Sequence, residues 1–202
     1  SDIVWYQTLG VDAYPTTNPT HKKVFFDGTS YTNNEPSPFQ GNAVAAGAEW
    51  YLYNLATKQW LGNNNSQPNV WTTRANVNEV GLDWMLSAMA DGWKMDAKFN
   101  VNGSMNGDGN GDNGYLNSYQ PATKWTFTEM SYPGATVAYK INAGTTQLGV
   151  GDEGDLDFAN ESRNVWVLVT KAERIAWMRD NASAANPVEA SFLIPNYDLA
   201  AD

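Results

Sequence analysis

The sequence contains no cysteine. Disulfides, thiolate metal sites and a thiol nucleophile are therefore excluded, and so is a small scaffold stapled by bridges. A single histidine, His21, is present, which rules out a cluster of imidazole metal ligands. It lies in a polar stretch between Pro19 and Lys22 with no serine or cysteine nucleophile motif beside it, and it reads as a solvent-exposed loop residue rather than a catalytic base. No run of 18 apolar residues occurs, so no segment has the length of a membrane-spanning helix. No basic stretch followed by an apolar one opens the sequence, and a secretory signal, if the protein carries one, is expected to have been removed. Basic charge is scarce: 12 Lys plus Arg stand against 22 Asp plus Glu, a net charge of −10. Such a balance repels the phosphates that dominate nucleic-acid affinity and disfavours an anionic membrane surface. Neither a nucleic-acid partner nor membrane insertion is expected.

Apolar and aromatic material is plentiful. Of 202 residues, 42% are hydrophobic and 13% aromatic, nine of them Trp, enough for a packed core in one domain with flanking segments. Trp84, Trp125 and Trp166 stand at equal intervals of 41 residues. Two places after each comes a large apolar residue, Leu86, Phe127 or Leu168, so each tryptophan lies on the apolar side of a period-two strand pattern. Self-similarity at a period near 40 residues marks units that cannot bury their apolar faces alone and must pack against their siblings.

Strand patterns also recur upstream of each tryptophan. Trp93, Met95, Ala97, Phe99 and Val101 alternate with Lys94, Asp96, Lys98, Asn100 and Asn102. Val137, Tyr139 and Ile141 do so with Ala138, Lys140 and Asn142, and Trp50 and Leu52 with Tyr51 and Tyr53. In each case one face is expected to be buried and one wet. Between the patterns lie turn formers: Asn63 to Pro68, Asn102 to Ser104, Asn106 to Gly111, and Gly151 to Asp155. Each unit has room for about four short strands. The expected fold is all-β, with three repeats over residues 47–170 and a closed threefold arrangement that removes exposed sheet edges.

The period changes after Trp166. Thr170 followed three residues later by Glu173 is a capping-box signature, and Ala172, Ile175, Ala176 and Met178 or Arg179 continue at helical spacing. A helix from about Lys171 to Ala182 is predicted, stopped by Asn186-Pro187, with Ala190 to Tyr197 as a strand leaving the module. Residues 1–46 form an N-terminal extension, with a hairpin around Asp27-Gly28 and linker-like stretches at Tyr14 to Pro19 and Pro36 to Pro38. Residues 171–202 form a C-terminal helix and linker.

Four strands and a late tryptophan in each of three repeats resemble the β-trefoil family of ricin-B-like modules. The resemblance covers residues 47–170. The glutamine this family usually carries two places before the tryptophan is replaced by Leu82, Thr123 and Asn164, so the ligand sites of plant-type lectins do not carry over. A closer resemblance is to trefoil-like modules of secreted or surface proteins of gut Bacteroidetes. These pair a Tyr-Leu-Tyr-Asn-x-x-Thr-x-x-x-Leu-Gly opening with a Trp-x-Leu-Val-Thr-Lys-x-Glu-Arg close. Here the stretches run from Tyr51 to Gly62 and from Trp166 to Arg174. The resemblance implies an extracellular or cell-surface location and a further domain beyond the closing segment.

Candidate chemistry is sparse, and nothing calls for a cofactor. Asp152, Glu153 and Asp155 share one glycine-bounded loop and read as a solvated acidic turn; Asp83 is placed on the wet face of its strand. Asp108, Asn110 and Asp112 stand at alternate positions, as oxygen ligands do in calcium loops. Asn113 occupies the place of the required glycine, however, and Tyr119 that of the bidentate glutamate. The stretch reads as a glycine-rich connection between strands, with a looser oxygen site as the alternative. Trp60 and Trp71 flank an Asn-rich loop. An indole face stacks on the apolar face of a sugar ring while amide and guanidinium groups hydrogen-bond its hydroxyls. Trp60, Trp71, Asn63, Asn64, Asn65 and Arg74 are therefore the candidate ligand-binding residues, the alternative being aromatic packing between hairpins. The leading functional reading is a non-catalytic binding module with a glycan as ligand. A spacer that positions neighbouring domains and a glycoside hydrolase using a carboxylate pair are the rivals.

Overall fold

A computed structural model describes residues 25–26, 31–32, 34–63, 69–72, 83–98, 103–107, 114–117, 122–152 and 156–181. These residues are all-β with one helix. Strands β1 (Phe25–Phe26) and β2 (Tyr31–Thr32) pair antiparallel on either side of Asp27-Gly28, where the sequence places a hairpin. The remaining strands are β3 (Glu49–Asn54), β4 (Gln59–Asn63), β5 (Asn69–Thr72), β6 (Asp83–Met89), β7 (Gly92–Ala97), β8 (Ser104–Asn106), β9 (Gly114–Asn117), β10 (Thr126–Met130), β11 (Ala138–Ala143), β12 (Thr146–Gln147) and β13 (Val165–Val169), followed by α1 (Lys171–Asp180).

All ladders are antiparallel, and their pairings form a continuous path. β10 pairs with β11, β11 with β13 and β13 with β3. β3 continues to β4, β5, β9, β8, β7 and β6, and it also pairs directly with β6. Between β7 and β10 the connection is the bridge Trp93↔Trp125, whose backbone groups exchange two hydrogen bonds of 2.8 Å. Three pairings set an aromatic residue of an opening strand against one of the periodic tryptophans: Trp50↔Trp84, Trp93↔Trp125 and Tyr139↔Trp166.

Two apolar clusters follow from this pairing. The inner one gathers Trp50, Leu52, Leu61, Trp84, Leu86, Met95, Met105, Trp125, Ile141, Trp166 and Leu168, with their neighbours. The alternation read from the sequence accounts for it: Trp84 and Leu86 point inward from β6, and Met95 and Ala97 from β7. Each large apolar side chain removed from water there contributes roughly 1.5–3 kcal/mol.

The outer cluster corrects the sequence reading. Tyr51 and Tyr53, expected on a wet face, are buried, and so are Val167 and Val169 on β13. They pack with Phe39, Leu55, Trp60 and Ala138, and Trp177 of α1 closes over them. β3 and β13 are thus covered on both faces, which is why β13 reads Val-Trp-Val-Leu-Val without a polar residue.

Much of the cover comes from outside residues 47–170. Residues 34–46 lie as a strap against the sheet: Ser37 donates its backbone N–H to the Pro133 carbonyl at 2.8 Å, and Val44 its own to the Tyr139 hydroxyl at 3.1 Å. At Gly41, φ is +75° and a Cβ would stand 2.0 Å from the Val137 carbonyl oxygen, so the strap approaches at a distance only glycine permits. The Asn42 amide donates at 2.9 Å both to the Leu168 carbonyl and to Oε2 of Glu173. Contacts therefore cross both ends of the span assigned to the repeats.

The helix begins where its cap predicts. The Glu173 amide donates to the Thr170 hydroxyl at 3.2 Å, and Oε2 of Glu173 accepts from the Thr170 amide at 2.8 Å, a complete capping box. Its buried face is Arg174, Ile175 and Met178; Ala172 and Ala176, counted as apolar positions in the sequence, are exposed. Arg174 takes their place by lying over aromatic rings, its guanidinium carbon 4.7 Å from the Tyr51 centroid and 5.5 Å from that of Trp60. Thr170→Ala is expected to lower stability by about 0.5–2 kcal/mol, measured by denaturant unfolding, with ligand retention unchanged.

Candidate functional site

Trp60 does not offer a sugar-stacking face. It is fully buried, with ring centroids of Tyr53 at 4.9 Å, Phe39 at 5.5 Å, Tyr51 at 6.2 Å and Trp177 at 6.4 Å. Its neighbours on the outer face of the sheet, together with α1, enclose the indole. Its assignment to a ligand platform is replaced by core packing, the second of the two readings the sequence allowed. Asn63 ends β4 and Trp71 lies in β5, and the two strands pair through Leu61↔Thr72, Gly62↔Trp71 and Asn63↔Val70. The backbone thus brings Asn63 and Trp71 to one end of a hairpin. Asn64, Asn65 and Arg74 lie outside the described residues, as do His21 and the calcium-loop candidates Asp108, Asn110 and Asp112. Among the described residues no group of three or more His, Cys, Asp or Glu side chains is placed to hold a metal ion.

The three periodic tryptophans share one environment. None has exposed surface, and each indole N–H donates to a backbone carbonyl 18 to 23 residues earlier in the sequence. Trp84 donates to Leu61 at 3.1 Å, Trp125 to Met105 at 3.2 Å, and Trp166 to Leu148 at 2.7 Å. The residues two places before two of them are also tied to those segments. Thr123 donates to the Asn106 side chain at 3.1 Å and accepts from the Gly107 amide at 3.1 Å. Asn164 donates to the Gln147 side chain at 2.6 Å, and Gln147 in turn to Glu161 at 3.2 Å. Thr123 and Asn164, where the resembling family carries glutamine, thus hold strands together.

Asp152, assigned to a solvated turn, is 90% exposed and pairs with Arg163 at 2.7 Å. Glu153 and Asp155 lie outside the described residues. Asp83 is different. Placed on a wet face by alternation, it is 2% exposed. Its strand partner is Tyr51, and its carboxyl hydrogen-bonds to that of Glu49. Burial, the hydrogen bond and the negative charge of Glu49 together raise its pKa to about 7. Glu49 moves the other way: burial opposes ionisation, but hydrogen bonds from Asp83 and Lys98 and the charges of Lys98 and Lys171 outweigh it and lower the pKa. Burial also pushes the Tyr51 and Tyr53 hydroxyls well above the usual phenol range. The alternation of β6 did show that Asp83 faces away from Trp84; what it could not show is that this side is buried beside Tyr51.

No family model matches the sequence, and no curated protein does. The all-β fold has similar solved structures. It is similar to that of the Macrolepiota procera ricin B-like lectin solved in complex with lactose, with a TM-score of 0.52 and 11% identity over 64% of this chain and 99% of that one. The lysenin pore gives a TM-score of 0.50 at 12% identity, covering 65% of this chain and 49% of that one. Lysenin in complex with phosphocholine gives 0.48 at 14% identity over 64% and 47%. The chain thus spans about half the length of the lysenin chains. At these identities the likeness is one of fold.

Proposed function

We propose that residues 47–170 form a β-trefoil of three ~41-residue repeats, flanked by the extension 1–46 and by the helix and linker 171–202. In this reading the chain is a non-catalytic carbohydrate-binding module of a secreted or cell-surface protein that joins it to neighbouring domains. The observation that carries the reading is the ricin-B-like fold, matched along nearly the full length of a lectin that holds lactose. The shared indole hydrogen bonds of Trp84, Trp125 and Trp166 support the threefold part of it. The step from fold to ligand is analogy, since one fold hosts many functions.

The ligand site we assign to the β4–β5 hairpin, with Trp71 as the stacking ring and Asn63, Asn64, Asn65 and Arg74 as the hydroxyl partners. Binding there needs no cofactor and no metal. The test is retention on an array of plant, host and microbial glycans, followed by calorimetry on any hit. Trp71→Ala is expected to reduce retention by about tenfold or more, equivalent to roughly 1.4 kcal/mol, with the melting temperature unchanged. Loss of stability in step with binding would reassign Trp71 to packing. Absence of retention by the unaltered protein would leave the spacer reading in its place.

Among the described residues no helix is long and apolar enough to cross a membrane.

A further inference from the structure

The junction between β3 and β6 holds an arrangement that neither the fold nor glycan binding requires. Glu49 and Tyr51 of β3 and Asp83 of β6 point to one face, because Tyr51 and Asp83 are cross-strand partners and Glu49 is two residues from Tyr51. The Asp83 side chain is 3% exposed, and among the described residues its Oδ2 has no hydrogen-bond partner. Among the described residues the cation paired with it is the Lys98 ammonium, 4.0 Å from that oxygen and also paired with Glu49 at 2.5 Å. Tyr51 donates to Glu49 at 3.4 Å. Helix α1 faces the cluster with Lys171 and Arg174, and β7 brings Asp96, which is neutralised by Lys94 at 2.9 Å. Two carboxyls therefore share one close ammonium at the point where the first and last strands of a unit meet.

We propose that this junction is a proton-operated lock. One proton held between Asp83 and Glu49 tightens the β3–β6 seam in mildly acidic surroundings, and its loss above neutrality loosens the seam. With the proton in place the pair is a single anion hydrogen-bonded internally and matched by Lys98. Without it, two anions face each other, one of them almost wholly out of water.

The direction of the effect follows from linkage. Asp83 keeps its proton to about pH 7 in the folded chain and to about pH 4 when unfolded. The folded state thus binds more protons across that window, and stability falls as pH rises through it. Glu49, with its folded pKa lowered, contributes stability above its unfolded value of about 4.3 that is lost as pH falls further. The two together place the optimum in mild acid, between about pH 4.5 and 6.

The decisive measurement is the unfolding equilibrium of the full chain between pH 5 and pH 8, for the unaltered protein and for Asp83→Asn. Asparagine preserves the hydrogen bond to Glu49 but carries no titrating proton. The unaltered protein is expected to lose on the order of 100-fold in its folding equilibrium from pH 5 to pH 8, about tenfold per pKa unit of difference. Asp83→Asn is expected to lose less than about tenfold and to be the more stable of the two at pH 8. An unchanged slope in the variant overturns the proposal. Carboxyl NMR titration of the unaltered protein decides the matter if the variant does not fold: an Asp83 midpoint above about 5.5 supports the lock, and one below it overturns the lock.

Discussion

Replacing Trp84, Trp125 or Trp166 with alanine is expected to cost about 3–5 kcal/mol at each position. That is a large share of the roughly 5–15 kcal/mol that holds a domain of this kind together, so the variants should be largely unfolded or far more sensitive to denaturant. Each indole has no exposed surface, and its removal leaves a cavity in the inner cluster. Each also strips a buried carbonyl, that of Leu61, Met105 or Leu148, of its indole donor. Phenylalanine separates the two contributions: it refills most of the volume but not the hydrogen bond, and should cost about 1–3 kcal/mol. Denaturant unfolding of the six variants checks both figures. Similar costs at the three positions are what equivalent repeats require, and a position that tolerates alanine for less than about 1 kcal/mol would break the equivalence.

Trp60→Ala is expected to lower stability by a similar amount, about 3–5 kcal/mol, while glycan retention per folded molecule stays as it was. The ring is enclosed by Phe39, Tyr51, Tyr53 and Trp177, and the Arg174 guanidinium lies over it. Its loss should release α1 as well, visible as a drop in near-ultraviolet circular dichroism before global unfolding. Comparison with Trp71→Ala makes the experiment discriminating, because the two tryptophans lie on paired strands of one hairpin. Retention abolished by Trp60→Ala at an unchanged melting temperature would contradict the core assignment.

The inner cluster was legible in the sequence because period-two alternation and the recurring tryptophans speak of one face at a time. Leu86, Met95, Ile141 and Leu168 are buried where that alternation puts them. The helix start was legible too, since a capping box is a local interaction between Thr170 and Glu173. What the pattern could not convey is cover supplied from a distance. Tyr51, Tyr53 and Asp83 look solvent-facing by alternation yet are buried, and over the two tyrosines the cover is Phe39 from the strap together with residues of α1 far along the sequence. Trp60 was ambiguous for the same reason: an aromatic residue beside an Asn-rich loop has the same local sequence whether water or Trp177 lies over it. For the proposed ligand site, the sequence supplies residue types and the hairpin supplies proximity of Asn63 and Trp71.

The strap and the helix meet each other as well as the sheet. The rings of Phe39 and Trp177 stand 5.5 Å apart, and Asn42 reaches Glu173. A polypeptide entering near Phe39 and leaving near Trp177 therefore does so through neighbouring doorways, the arrangement that lets a folded unit be spliced into a host chain without prying the host apart.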